Sequence, residues 1–403
     1  MNNNVREQCP AANSECMKTK TFLIHVVIFA IMLYAANPVL SQNWVKVNSP
    51  GGIMNSLAGS ADGTTLVTAN QNGAVAVSTN WGATWTPTGI SAMTVACSSN
   101  GMKLISAGYP SGGSIYTSTN WGASWIQRTN APVTFWQSVA SSSDGTKLVA
   151  ANQNGAYNSF IYTSTDSGVT WTAPGWPWDS WQSVACSADG TKLVALSWGS
   201  YGRIYYSGNS GASWNYANSP SGPRWQAVTS SADGTKMVAV VFYGQIYRSI
   251  DSGHNWTILT NSASTSWISV ASSADGSTLI AGVDYGGVYV STNFGTSWSE
   301  TSLTGGWWEG VACSGDATKF AAMDLYGSVY VSQPAPVLSI TSTNTSLILS
   351  WPSSAMGYEL MQCSDLTVTN WANVTNSVGL VGNQNQVVIP MSANSCFYRL
   401  QFP

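Results

Sequence analysis

The sequence predicts an all-β protein, on the strength of its composition and two recurring motifs. Charged residues make up 8% of the 403 residues, hydrophobic residues make up 44%, and 38 residues are glycine. This composition is typical of many short strands joined by tight turns. Between residues 43 and 333 the sequence repeats itself, and the repeat leaves no room for helices.

The first motif is an eight-residue segment ending in tryptophan. Its copies begin 40 to 46 residues apart, at Ser78, Ser118, Ser164, Ser207, Ser249 and Ser291. The second motif, a turn of the form S-x-D-G-T-K-L-V-A, recurs seven times, centred on Asp62, Asn100, Asp144, Asp189, Asp233, Asp275 and Asp316. Asp-Gly is a strong hairpin signal.

A period near 43 residues accommodates four short strands, which is one blade of a β-propeller. In the fourth unit we predict strands at 181–186, 192–196, 203–207 and 213–217. The seventh unit has only three strands, because it runs from Ser332 into Gln333-Pro334. The segment 43–50 resembles the fourth strand of the fourth unit, so we predict a seven-bladed propeller closed by an N-terminal strand.

The eight-residue motif is the Asp box, and residues 51–332 resemble the Asp-box propeller superfamily, which includes sialidases, sortilin-type receptors and photosystem II assembly factors. The resemblance implies a structural role for the box at the rim, away from any site. Its third position is Asn80, Asn120, Asp166, Asn209, Asp251 or Asn293. Because one fold hosts many activities, the resemblance carries little about function.

The first 42 residues are predicted to be an N-terminal extension and signal peptide. Lys18 and Lys20 precede an apolar run at 22–36, and small residues follow to Ser41. Translation can begin at Met1 or Met17. The run is shorter than the roughly 20 residues of a spanning helix, so cleavage is favoured over an uncleaved anchor. We therefore expect a secreted or extracytoplasmic protein with no membrane span in its mature form.

Residues 334–403 are predicted to be a fibronectin-like or Ig-like β-sandwich, with strands at 338–340, 346–351, 358–362, 386–389 and 397–400. The segments L-S-W-P, G-Y-E-L-M-Q-C-S and C-F-Y-R-L resemble terminal modules on exported proteins of Verrucomicrobia-like bacteria. A disulfide between Cys363 and Cys396 would support this small core. Spacing, surface attachment and binding remain open as its role, and we expect a monomer.

Charge and residue types exclude several functions. The net charge of −3 comes without a basic stripe, so nucleic acid is not an expected partner. Cys97, Cys186 and Cys313 occupy equivalent places in different repeats and are expected to be buried and unpaired. His254 is the single histidine beyond the leader. We predict no metal site and no cofactor.

A tryptophan begins the first strand of five units, and it has two interpretations. Trp136, Trp181, Trp225, Trp267 and Trp308 either wedge between blades as core or stack on a ligand. The less regular residues of neighbouring loops are better ligand candidates, because loops carry binding residues. They are Trp176, Trp178, Trp198, Tyr201, Tyr243, Tyr285 and Tyr326.

Catalysis has weak support. Sialidases use three arginines and an F-R-I-P motif, whereas this propeller has only Arg128, Arg203, Arg224 and Arg248 and lacks that motif. Another glycoside hydrolase would need two carboxylates, and Asp284, Asp324 and Glu309 are the candidates. We therefore expect a noncatalytic binding or scaffold protein that recognises a glycan or an extracellular protein segment, with a hydrolase as the rival hypothesis.

Overall fold

The computed structural model describes residues 43–71, 74–108, 113–154, 159–173, 175–198, 202–262, 265–333, 336–343, 345–353, 358–364, 371–390 and 396–401. The predicted signal peptide and Tyr201 lie outside these ranges. Within them, every extended regular element is a β-strand. No helix in this part of the chain is long and apolar enough to cross a membrane.

Residues 43–333 form antiparallel sheets that follow one another along the chain, and we call the strands of each sheet a to d. After the leading strand β1 (Asn43–Val47), sheet 1 contains β2 (Met54–Gly59), β3 (Leu66–Asn70), β4 (Ala74–Ser78) and β5 (Thr86–Ser91). Sheet 2 contains β6 (Thr94–Cys97), β7 (Leu104–Ala107), β8 (Ile115–Ser118) and β9 (Ile126–Gln127). Sheet 3 contains β10 (Trp136–Ser141), β11 (Leu148–Asn152) and β12 (Ile161–Ser164).

The next four sheets repeat the arrangement. Sheet 4 contains β13 (Trp181–Cys186), β14 (Leu193–Ser197), β15 (Ile204–Ser207) and β16 (Asn215–Tyr216). Sheet 5 contains β17 (Trp225–Ser230), β18 (Met237–Val241), β19 (Ile246–Ser249) and β20 (Thr257–Leu259). Sheet 6 contains β21 (Trp267–Ser272), β22 (Leu279–Val283), β23 (Val288–Ser291) and β24 (Ser299–Glu300), and sheet 7 contains β25 (Gly310–Cys313), β26 (Phe320–Met323) and β27 (Val329–Gln333).

The leading strand is strand d of sheet 7. β1 pairs antiparallel with β27, with Asn43 opposite Gln333 and Val47 opposite Val329. This is the pairing that the missing fourth strand of the last unit predicts. It leaves β27 with a partner on each side, so the two ends of the repeat region share one sheet.

Sheet 3 departs from the predicted four-strand unit. In the described residues its fourth strand is reduced to an isolated bridge between Thr163 and Thr172. Three other strands d, namely β9, β16 and β24, are only two residues long and exposed. They lie at the outer edges of their sheets and bury little apolar surface. Side-chain packing therefore stabilises them least.

The core lies between neighbouring sheets. Strand b of sheet 4 is buried along its whole length, and the corresponding strands of the other sheets are buried in the same way. Strands a contact one another in chain order from β2 through β6, β10, β13, β17 and β21 to β25, and β25 contacts β2 again. The strands a therefore form a closed ring.

A second ring, made of backbone hydrogen bonds, runs through the turns between strands a and b. Each turn donates an N–H to a carbonyl of the next sheet, at 2.7–3.0 Å, and the last returns to the first. The bonds join Asp62 to Ser99, Ser99 to Ser143, Ser143 to Ala188, Ala188 to Ala232, Ala232 to Ala274, Ala274 to Gly315, and Gly315 to Ala61.

Lysines of these turns reach from one sheet to the next. Lys192 Nζ donates to the backbone carbonyl of Asp233 at 2.8 Å, and Lys236 makes the same contact with Asp275 at 2.9 Å. Where sheet 1 has Thr65 in place of the lysine, the next turn has Asn100 in place of the aspartate. Sheet 6 also lacks the lysine, at Thr278, but the next turn keeps Asp316, so the two replacements do not always occur together.

The C-terminal strands form two further sheets. They are β28 (Ser339–Ser342), β29 (Ser346–Pro352), β30 (Glu359–Cys363), β31 (Ala372–Asn373), β32 (Gly379–Val381), β33 (Gln384–Pro390) and β34 (Phe397–Gln401). One sheet has the order β28-β29-β33-β32 and the other β31-β30-β34. Leu349, Trp351 and Val387 of the first sheet share an apolar core with Leu360 of the second. The sequence did not predict β31 and β32.

Candidate functional site

The two ends of each sheet carry different loops. A residue just beyond strand b donates a backbone N–H to the residue that precedes the strand-a tryptophan, as in Gln153 to Phe135 and Leu325 to Trp307. The b–c and d–a loops therefore lie together at one end of the sheets, which we call the loop face. The eight-residue motifs lie at the other end, where the Ser210 N–H donates to Thr191 of the a–b turn at 2.8 Å.

The eight-residue motif is a self-contained turn. In sheet 1, Asn80 Oδ1 accepts hydrogen bonds from Ser78 Oγ and the Thr84 N–H, and Ser78 Oγ accepts one from the Gly82 N–H. Asp166 and Asp251 accept the equivalent bonds in sheets 3 and 5, and Asn120, Asn209 and Asn293 accept them in sheets 2, 4 and 6. Each of these side chains serves the turn.

The tryptophans at the start of the a strands are buried between sheets. Four of them are the first residues of their strands, and Trp308 lies two residues before β25. Trp136, Trp181, Trp225, Trp267 and Trp308 are each at most 3% exposed. Each meets a tyrosine of strand c edge-on, with ring centroids 5.0–5.5 Å apart. The burial of these residues agrees with the interpretation that they are core residues and not with the interpretation that they stack on a ligand.

Three tyrosines project from equivalent b–c loops of sheets 5, 6 and 7. Tyr243, Tyr285 and Tyr326 are 69%, 74% and 70% exposed. Tyr243 and Tyr285 have φ of 56° and 53°, in the left-handed region that bulky residues rarely adopt. The same conformation occurs in the eight-residue motifs, at Trp81, Trp121 and Phe294, so it belongs to tight turns at both ends of the sheets.

Trp307 joins two of these tyrosines, and the sequence did not single it out. Its ring lies 4.5 Å from the ring of Tyr285 and 5.9 Å from that of Tyr326, centroid to centroid. The signal was the doubled Trp307-Trp308. Trp308 occupies the buried position of the other strand-a tryptophans. Trp307 therefore occupies the loop-face position that Phe135, Ser180, Arg224 and Ser266 hold in sheets 3 to 6.

Sheet 4 carries a second aromatic group. Trp176 is 40% exposed and meets Tyr216 at 5.5 Å and the buried Tyr205 at 6.1 Å. The Tyr205 hydroxyl donates to Asp179 Oδ2 at 2.9 Å, and Arg203 donates to the Tyr216 hydroxyl. Burial and the Asp179 carboxylate raise the pKa of Tyr205. Trp178 and Trp198, 48% and 43% exposed, are also on this side of the molecule.

The three candidate acids have different surroundings. Asp324 Oδ1 accepts the Ser328 N–H at 2.8 Å and so serves its own turn. Burial and the neighbouring Asp284 carboxylate raise the pKa of Glu309 above its ordinary value. Among the described residues no side chain or backbone group donates a hydrogen bond to the Glu309 carboxylate. Asp284 and Glu309 are thus the one interacting pair of the three.

Cys97 and Cys186 are partly buried free thiols in this structure, and Cys313 is a buried one. Burial raises the pKa of Cys97 and Cys186 to about 12, which leaves both thiols protonated and unreactive. Cys363 is buried, and Cys396 is exposed next to Phe397, the residue that stands opposite Cys363. The bridge between Cys363 and Cys396 stays a prediction. No group of three or more His, Cys, Asp or Glu residues in the described part of the chain is arranged to hold a metal ion.

Comparison with solved structures identifies the fold. YCF48 from Cyanidioschyzon merolae aligns over 72% of this chain and 98% of its own, with a TM-score of 0.55 and 16% identity. YCF48 bound to D1 peptide aligns over 72% of this chain and 96% of its own, also with a TM-score of 0.55 and 16% identity.

The chain contains a β-propeller. At this identity the likeness shows the fold of the propeller and not its activity. No family model matches the sequence, and no curated protein matches it either. The loop face is therefore one end of a propeller, the end at which the b–c and d–a loops surround the axis.

Proposed function

We propose that this chain is an exported, noncatalytic binding protein that holds a polypeptide segment across the loop face of its propeller. The observation that carries the proposal is the row of exposed tyrosines, Tyr243, Tyr285 and Tyr326, on loops whose backbone is fixed. Tyrosine offers a large contact area for little conformational entropy, which suits it to recognition. The YCF48 structure bound to D1 peptide supports a propeller of this kind as a peptide receptor.

The proposal includes the architecture that presents this face. We infer that the seven sheets are the blades of a seven-bladed Asp-box propeller, with β1 as the closing strand, over residues 43–333. Residues 334–403 would form a β-sandwich module for spacing, attachment or binding. Export rests on the leader sequence at 1–42, and we expect the protein to be a monomer.

A glycan is the second candidate ligand. Trp176, Trp178 and Trp198 are exposed, and flat rings of this kind stack on sugar faces. Amide side chains that hydrogen-bond sugar hydroxyls would accompany them. Hydrolysis of such a glycan would depend on Asp284 and Glu309, because the Asp324 carboxylate is engaged by its turn.

The test is binding by the full secreted chain to a displayed library of random peptides and to a glycan array, with a hydrolysis screen on any glycan retained. We expect peptide binding that falls at least tenfold when Tyr243, Tyr285 and Tyr326 are changed together to alanine. Trp121→Ala and Ile250→Ala are matched controls, since both residues are exposed but lie at the opposite end of the sheets. Glycan binding without peptide binding would overturn the proposal, and so would turnover abolished by Asp284→Asn.

A further inference from the structure

Backbone pairing holds the aromatic group of Tyr285, Trp307 and Tyr326 in place. Gly286 and Gly306 form an isolated antiparallel bridge, with N–H to carbonyl distances of 3.1 and 3.0 Å. Tyr285 precedes Gly286 and Trp307 follows Gly306, so the bridge sets their rings side by side. The Leu325 N–H donates to the Trp307 carbonyl at 2.8 Å, which fixes the loop of Tyr326 to the same segment.

The loops around these rings are acidic. Residues 284–287, 301–309 and 324–328 contain Asp284, Glu309 and Asp324 and no lysine or arginine. The lysines of the a–b turns lie at the other end of the sheets. Glu309 is partly buried, no donor in the described residues bonds its carboxylate, and its oxygens are not closed off from solvent. A carboxylate in that position is stabilised by an incoming cation.

The chain's own cations use other rings. Among the described residues, Arg203 lies over Tyr216 at 4.9 Å, Arg248 over Phe294 at 5.4 Å and Lys319 over Trp81 at 5.8 Å. None of the described cations lies over Tyr285, Trp307 or Tyr326. A cation from another molecule would therefore not compete with one of these cations for the three rings, and cations bind best over tryptophan.

The openness of the group indicates which kind of molecule brings the cation. Tyr285 and Tyr326 are more than two-thirds exposed, whereas a small ligand is normally enclosed by its pocket. Rings on an open face instead suit one side chain of a longer polymer that lies across several blades.

We propose that Tyr285, Trp307 and Tyr326, backed by Asp284 and Glu309, form a seat for a lysine or arginine side chain of the bound polypeptide. The cation lies over Trp307 between the two tyrosines, with the carboxylates as its counter-ions. That the occupant belongs to a polypeptide rests on the proposed function. The seat adds a preference for a positive charge at one position of that polypeptide.

The experiment uses the full chain and matched peptides, acetyl-Gly-Ser-Gly-X-Gly-Ser-Gly-amide, with X as lysine, arginine or the uncharged norleucine. Tetramethylammonium chloride is a fourth probe. Proton NMR of the probe reports binding, because aromatic ring currents move the lysine ε-methylene signal upfield. We expect the charged peptides to bind about tenfold or more tightly than the norleucine peptide, in line with one desolvated cation–π contact.

The variants localise the effect. Trp307→Ala should abolish the preference for charge, Trp307→Phe should keep part of it, and Glu309→Gln should reduce it about threefold or more. Trp121→Ala, which removes a tryptophan that is 45% exposed at the opposite end, should leave it unchanged. Circular dichroism shows whether each variant is folded.

Three outcomes would overturn the seat. Equal binding of the charged and norleucine peptides refutes it and leaves peptide capture by the loop face standing. Binding of tetramethylammonium alone, lost in Trp307→Ala, means that the occupant is a small cation and that the polypeptide assignment is wrong. A preference for charge that survives Trp307→Ala places the cation elsewhere.

Discussion

The indole of Trp181 meets the ring of Tyr205 edge-on, with centroids 5.0 Å apart and an interplanar angle of 70°. Both rings are at most 1% exposed, and Trp181 Nε1 donates to the Ser159 carbonyl at 3.2 Å. The pair lies where sheets 3 and 4 meet. The same contact recurs at four other junctions, so it is part of how sheets pack and not part of a ligand site.

Two tryptophans of sheet 4 should therefore respond differently to removal. Trp181→Ala leaves a large cavity between sheets and should lower the free energy of unfolding by about 3–5 kcal/mol. Trp198→Ala, at a residue that is 43% exposed, should change it by no more than about 0.5 kcal/mol. Denaturant unfolding measures both. Equal losses would mean that Trp181 is not core.

The eight-residue motif of sheet 4 contains two glycines that should differ in whether alanine can replace them. Gly211 has φ of 84°, and an added Cβ would lie 2.6 Å from Thr163 Cγ2. Gly208 has no atom within 4 Å of an added Cβ and no positive φ. Gly211→Ala should cost about 1 kcal/mol or more, and Gly208→Ala should be neutral within about 0.5 kcal/mol. Thermal unfolding of the two variants side by side checks this, and a neutral Gly211→Ala would contradict it.

The a–b turns make the propeller sensitive to acid. Hydrogen bonds from a serine side chain and from a backbone N–H lower the pKa of Asp189, Asp233 and Asp275 to about 2. A carboxyl whose folded pKa lies below its unfolded value binds fewer protons when folded, so protonation favours unfolding. This stabilisation is fully present above about pH 4 and is lost as the pH falls towards 2. Because the groups are largely exposed, each contributes modestly.

The measurement for the acid effect is the melting temperature, Tm, between pH 2 and 6. We expect Tm to fall below about pH 4 and the fall to be smaller in Asp189→Asn, which cannot titrate. The turn of sheet 2 has Asn100 at the equivalent position, so it is a natural example of a turn without a titrating carboxyl group. A pH profile identical in the variant and the parent chain would show that the Asp189 turn does not contribute.

Repetition made the propeller part of the fold predictable. The predicted strand a of the fourth unit, 181–186, coincides with β13. Seven similar copies show which residues the strand contains, and a shift of register would turn its buried side chains to the other face. The predicted strand d at 213–217 is only Asn215–Tyr216, since an exposed outer strand depends on local pairing. β31 and β32 lie in a region with no repeat to compare.

The site was predictable only in part, for a related reason. Tyr243, Tyr285 and Tyr326 stand at one repeat position, and so they could be placed on a loop. Trp307 lies at a d–a loop position that other sheets fill with Phe135, Ser180, Arg224 or Ser266, so no repeated residue type marks it. Its contact with Tyr285 depends on the bridge between Gly286 and Gly306, which no local pattern encodes.

Closure of the ring by β1 underlies the whole account, because it fixes sheet 7 and with it the loops of Trp307 and Tyr326. The most direct test compares Tm of the full chain with that of the chain lacking Asn43–Val47, with Lys46→Ala as the control in the same strand. Trp44 and Val47 are each 8% exposed, and loss of the buried tryptophan alone costs about 3–5 kcal/mol. Since each kcal/mol shifts Tm by about 2–4 °C in a domain of this size, we predict a fall of about 10 °C or more. A truncated chain that melts with the intact protein would contradict the account.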